Sequence, residues 1–211
     1  MSSAVPKGLF IGEGSSDLPL RDHVERIAAA HGVPLRVSAP DLSRLPEPPG
    51  RDVGSMAVAA LALAGPSSLL FVHRDADRET ADVRRAQIHE SLRAAALELP
   101  AVAVIPVRMT ESWLLVDEGA IRAVAGNPAG REPLDLPVAH RAEAVADPKA
   151  LLREALKRAS GLRQRRLRDF TNDFGHHRRQ LLERLDPEGP VAQLGSWRQF
   201  VADVEEAVAK L

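Results

Sequence analysis

Leu9-Phe10-Ile11 is a short unbroken apolar run that stops at Gly12-Glu13-Gly14. A run of that length bounded by turn residues predicts a buried strand. Ser15-Ser16-Asp17 supplies helix-capping residues and Pro19 suits a first helical turn. Leu20, Val24, Ile27 and Ala28 then recur at helical spacing until Gly32. Leu35 and Val37 mark a second short strand. The four prolines between Pro40 and Gly50 predict a loop. Val53–Ala64 is Ala-rich and helical, Gly65-Pro66 turns the chain, and Ser68–Val72 is a third, wholly apolar strand. Thr80–Leu99 repeats Val83, Ile88, Leu92 and Ala95 on one helical face and stops at Pro100. Ala101–Val107 predicts a fourth strand. A helix capped by Thr110 carries Trp113, Leu114, Val116, Ala120, Ile121 and Val124, and both Trp113 and Trp197 occupy apolar helical positions expected in a core.

Four apolar strands alternating with helices predict an α/β fold of Rossmann type, a mostly parallel four-stranded sheet between helices. The pattern changes after Val124. Gly126–Pro137 reads as a long loop, and helices are expected at Pro148–Ser160, His176–Leu185 and Ser196–Leu211. The expected organisation is an α/β domain over residues 1–125 and a helical extension over residues 126–211.

Composition narrows the chemistry. The chain has 211 residues, 45% of them hydrophobic, and a formal net charge of -1, which excludes a disordered chain and a globally basic nucleic-acid binder. Cysteine is absent, so disulfides, thiolate metal sites and cysteine nucleophiles are excluded, and any metal must sit on oxygen or imidazole ligands. Tyrosine is also absent. The first residues show no charged segment followed by an apolar run of signal-peptide length, and the stretch Val53–Val72 is broken by Gly65 and Pro66. The expectation is a cytoplasmic protein with no membrane contact.

In an open α/β sheet, ligands bind outside the carboxyl ends of the strands. Glu13 follows the first strand, and Asp75, Asp77 and Glu79 follow the third. Glu111 lies just past the fourth. Closely spaced carboxylates repel, and a hard divalent cation completed by water relieves that repulsion.

The order of these acids resembles the toprim domain, the catalytic core of type IA and II topoisomerases, primases and OLD-family nucleases. Glu13-Gly14-Ser15-Ser16-Asp17 is similar to the family's Glu-Gly-x-x-Asp motif, and Asp75-Ala76-Asp77-Arg78-Glu79 to its Asp-x-Asp-x-Glu motif. Thr110–Asp117 resembles the Glu-x-Trp-Leu-Leu-x-Asp stretch of small bacterial toprim-like proteins. The resemblance spans residues 5–108, about half the chain. Ser15 stands where many members have Lys, and Thr80 where topoisomerases have Gly. Without tyrosine or cysteine, topoisomerase strand passage is excluded and a zinc primase is disfavoured.

The resemblance implies Mg²⁺ (or Mn²⁺) on Asp75 and Asp77, joined by Glu79, with Glu13 as ligand or general acid/base and Glu111 holding a second ion. The implied activity is nuclease or phosphoryl-transfer chemistry on nucleic acid, in bacterial defence or repair, with an ATPase as partner protein. A non-catalytic regulatory or partner-binding subunit that keeps the acidic pocket is the alternative. A receiver-like domain fits less well, since the first strand is followed by Glu13 alone.

Residues 153–184 hold ten basic and four acidic residues, a local charge of +6. Arg163, Arg165, Arg166 and Arg168 form its centre and are the candidate phosphate-backbone contacts. A solvated helical face in an Arg-rich chain is the competing reading. His176 and His177 are neighbours, and adjacent helical residues diverge by about 100°, which disfavours a shared ion.

Overall fold

The computed structural model describes residues 5–211. It contains two compact units. The first takes the chain through Arg74, then Glu79–Ile105 and Gln199–Leu211; the second takes Asp75–Arg78 and Pro106–Arg198.

The first unit is the α/β layer. Its elements in chain order are β1 (Lys7–Ile11), α1 (Pro19–Ala30), β2 (Arg36–Ser38), α2 (Val53–Ala64), β3 (Leu69–His73), α3 (Ala81–Ala94) and β4 (Ala101–Val104). Among the described residues the four strands form one sheet in the order β2-β1-β3-β4, and every pairing is parallel. Leu69–Val72 is completely buried, as expected for a parallel strand covered on both faces. Register runs Gly8 to Leu69 through Ile11 to Val72 between β1 and β3, and Leu70 to Ala101 through His73 to Val104 between β3 and β4. α2 packs on α3 and β1, and α1 packs on β2. The α/β class with a parallel four-stranded sheet and further helices after it agrees with the apolar pattern.

Element ends differ from the pattern for local reasons. α3 stops at Ala94 rather than Leu99, because Ala96 turns left-handed (φ 53°) and closes the helix with Leu97 N–H donating to Leu92 O at 3.0 Å. β4 ends at Val104, ahead of Pro106, which has no N–H to offer a ladder.

The second unit is helical. The single helix expected after Thr110 is two: α4 (Glu111–Leu114) and α5 (Glu118–Val124). Asp117 separates them, its Oδ1 accepting the Ala120 N–H at 2.9 Å as an N-cap. There follow α6 (Ala139–Ala142), α7 (Pro148–Ser160), α8 (Gln164–Asn172) and α9 (Phe174–Arg184). The short α6 escapes the apolar pattern, and α8, with no buried residue, has no core-facing stripe to announce it. α10 (Gly195–Val208) begins in the second unit and continues into the first. In the second unit Trp113 and Trp197 are fully buried and meet edge to face, centroids 5.0 Å apart. Trp113 Nε1 donates to Ser196 Oγ at 2.7 Å, which satisfies its one polar atom. Among the described residues no helix is long and apolar enough to cross a membrane.

Candidate functional site

The strand order contains one reversal. The chain leaves β1 for β2 on one side and returns to β3 on the other, so the strand order reverses between β1 and β3. Such a switch point opens a crevice at the carboxyl ends of the two strands. The two acidic motifs of the sequence follow those two strands.

In the first unit, Glu13 is exposed on the turn after β1. That turn is held by Asp17. Its Oδ2 accepts the Gly14 N–H at 3.0 Å, and Asp17 N–H donates to Gly14 O at 3.1 Å. Asp17 is buried, and its Oδ2 lies 3.6 Å from Nδ1 of His73, the equally buried last residue of β3. A Cβ at Gly12 would stand 3.3 Å from the Cβ of Asp17, so the tight turn leaves little room for a side chain there. The Asp of the Glu-Gly-x-x-Asp motif therefore shapes the loop that displays Glu13. Arg74, next after β3, donates to the carbonyls of His73 (3.3 Å) and Arg51 (3.0 Å) and to Met56 Sδ (3.3 Å). Burial pulls its guanidinium below the ordinary value, and the nearby carboxylate of Glu13 acts in the opposite sense. Glu79 is exposed and stands just before Thr80, whose Oγ1 caps α3 by accepting the Val83 N–H at 3.3 Å.

In the second unit, Asp75 is half-buried and its Oδ1 accepts two hydrogen bonds from Thr110, from N–H at 2.9 Å and Oγ at 3.1 Å. Ala76 N–H donates to Pro106 O at 3.2 Å, and Asp77 N–H to Arg108 O at 2.7 Å. Asp77 is exposed and left-handed, φ 55°. The Asp-x-Asp segment is thus fastened along its length to residues 106–110. Thr110, expected only as a helix cap, orients a candidate ligand instead.

Glu111 is 3% exposed and pairs with Arg178 on α9, Nε to Oε1 at 3.0 Å. This buried ion pair and a second metal ion would compete for one carboxylate. Arg178 lay within the basic segment, but nothing in its spacing singled it out as the partner of Glu111. Arg163, Arg165, Arg166 and Arg168 are all exposed at or on α8. Arg165 is 3.7 Å from Asp169, a solvated pair of small energetic weight. His177 stacks on Phe170 at 4.0 Å and donates from Nε2 to the Phe170 carbonyl at 3.1 Å, and burial lowers its pKa. His176 is exposed.

The donor chemistry on Asp75 and Asp77 suits Mg²⁺, which takes one or two carboxylates and completes its octahedron with water. Among the described residues, no group of three or more His, Asp or Glu side chains is placed to hold a metal. No protein-family model, curated protein or solved structure matches this chain.

Proposed function

We propose that this chain is a Mg²⁺- or Mn²⁺-dependent enzyme of phosphodiester hydrolysis or phosphoryl transfer, acting on nucleic acid from a toprim-like core. The observation that carries the proposal is topological. The sheet order β2-β1-β3-β4 reverses between β1 and β3, the two strands that the Glu-Gly-x-x-Asp and Asp-x-Asp-x-Glu motifs follow.

Asp75 and Asp77 would hold the cation. Bound there, it would supply a Lewis acid for the phosphoryl oxygen and lower the pKa of an attacking water. The chain's own groups do the rest. Thr110 fixes the Asp75 carboxylate through two hydrogen bonds. On its motif alone, Glu13 would be a ligand or the general acid/base, and Asp17 holds the turn that carries it. Glu79 is exposed and a candidate further ligand, while Glu111 is left to its ion pair with Arg178. The arginines at 163, 165, 166 and 168 would bind the phosphate backbone. A defence or repair setting and an ATPase partner belong to this proposal on the resemblance alone.

The test pairs metal binding with cleavage. Wild type is expected to bind Mn²⁺ by calorimetry and to cut plasmid, single-stranded DNA or RNA in its presence. Asp75→Asn/Asp77→Asn is expected to lose both. Unchanged Mn²⁺ binding in that variant rejects the metal site. Mn²⁺ binding without cleavage of any of the three substrates favours the regulatory subunit.

A further inference from the structure

Asp77 and Arg108 are both left-handed, at φ 55° and 59°. Neither is glycine, so each conformation is strained for a side-chain-bearing residue. The two corners meet, since Asp77 N–H donates to the Arg108 carbonyl at 2.7 Å. On either side, Ala76 N–H donates to Pro106 O and Thr110 to Asp75 Oδ1. Backbone strain persists where surrounding bonds over-determine it, and it gathers at functional sites. For Asp77 the proposed metal site explains the conformation. For Arg108 the metal site supplies no such reason.

The Arg108 side chain has a further peculiarity. It is half-buried, yet its guanidinium makes no hydrogen bond and no ion pair among the described residues. Arg178, buried on α9, is by contrast paired with Glu111. A partly desolvated guanidinium without a counter-ion favours an oxyanion, to which its planar fork can donate two parallel hydrogen bonds. Two carboxylates repel an incoming phosphate, and a cation fixed to the same hydrogen-bonded segment offsets that repulsion.

We infer that Arg108 is a substrate-binding residue, whose guanidinium takes a non-bridging phosphoryl oxygen of the strand presented to Asp75 and Asp77. The left-handed corner fixes where its Cβ leaves the backbone, so the charge is delivered from a rigid platform. This inference deepens the phosphodiester reading and rests on it.

The experiment uses the full chain and three variants, Arg108→Gly, Arg108→Asn and Arg108→Lys. Glycine relaxes the left-handed corner and asparagine tolerates it, so a fold-competent variant without the charge is secured. The probe is a short fluorescent 5′-phosphorylated oligothymidylate, titrated by anisotropy in Ca²⁺, with Mn²⁺ affinity and thermal melting measured on the same samples. Arg108→Gly and Arg108→Asn are expected to weaken oligonucleotide binding about tenfold or more, the loss of one charge-assisted contact. Arg108→Lys is expected to recover part of it, and all three should keep wild-type Mn²⁺ affinity. A merely structural corner would leave oligonucleotide binding unchanged in Arg108→Gly while raising the melting temperature, and that result overturns the inference. It would leave the metal reading standing if Mn²⁺ still binds. Conversely, Arg108-dependent oligonucleotide binding in a wild type that takes no Mn²⁺ removes the metal reading and keeps the inference. A wild type that binds no oligonucleotide overturns the inference as well.

Discussion

Ala96, Asp77 and Arg108 show that a left-handed residue can answer to different demands. Ala96 closes α3 in a Schellman arrangement, with its own N–H donating to Arg93 O at 2.9 Å and that of Leu97 to Leu92 O at 3.0 Å. Glycine is the usual occupant of that position, and alanine there serves no purpose that the structure explains. Ala96→Gly should therefore stabilise the protein by about 1 kcal/mol, as measured by urea unfolding. Asp77→Gly should likewise leave stability unchanged or raise it by up to about 1 kcal/mol, yet lose Mn²⁺ affinity. Lowered stability in Asp77→Gly would mean that its carboxylate supports the fold. None of these φ values was visible in the sequence, where Ala96 reads as one more good helix former. The side chain alone does not encode the sign of φ when hydrogen bonds from distant residues impose it.

Elements owe their placement to partners far along the chain. α4 is only one turn long, and its Glu111 is locked to Arg178 on α9 in a buried pair. Removing one member leaves the other charge buried and unpaired. Arg178→Met should cost about 3–5 kcal/mol in denaturant unfolding, and the Glu111→Gln/Arg178→Met double variant should recover part of that. If Arg178→Met instead gained Mn²⁺ affinity without losing stability, Glu111 would be a metal ligand after all. The start of α10 has a similar long-range cap: both Glu143 oxygens accept from its first N–H groups, Gly195 at 3.1 Å and Ser196 at 2.8 Å. A carboxylate at a helix N-terminus is favoured by the dipole. Sequence periodicity found α2 and α7 to the residue, because capping aspartates (Asp52, Asp147) and terminal glycines (Gly65, Gly161) bracket them locally. It missed the break at Asp117 and the whole of α8. Apolar periodicity reports only helices that bury a stripe, and α8 buries none.

At the scale of the molecule, a formal charge of -1 hides a division along the chain. Residues 153–184 carry ten basic against four acidic residues, and the remainder is acidic. Arg163, Arg166 and Arg168 are exposed and engage no carboxylate among the described residues. If these arginines neutralise phosphates, nucleic-acid affinity falls steeply with salt. Replacing Arg163, Arg165, Arg166 and Arg168 with Gln should flatten the slope of log K against log salt by about 3. An unchanged slope would mark α8 as an ordinary solvated face. Because net charge sums over segments, only the segment-wise division carries this information.

The sequence by itself determined the α/β class, the buried strands and which side chains lie just beyond their carboxyl ends. Those are local properties: apolar runs, caps, glycines and the spacing of Glu13, Asp75 and Asp77 along the chain. The tertiary structure decided the strand order, and with it the switch point between β1 and β3. It also decided the partners: Asp17 on Gly14 and beside His73, Thr110 on Asp75, Arg178 on Glu111, and the strained corner at Arg108. Each joins residues brought together by packing, not by spacing. A buried charge or a strained dihedral is stable only once those neighbours surround it.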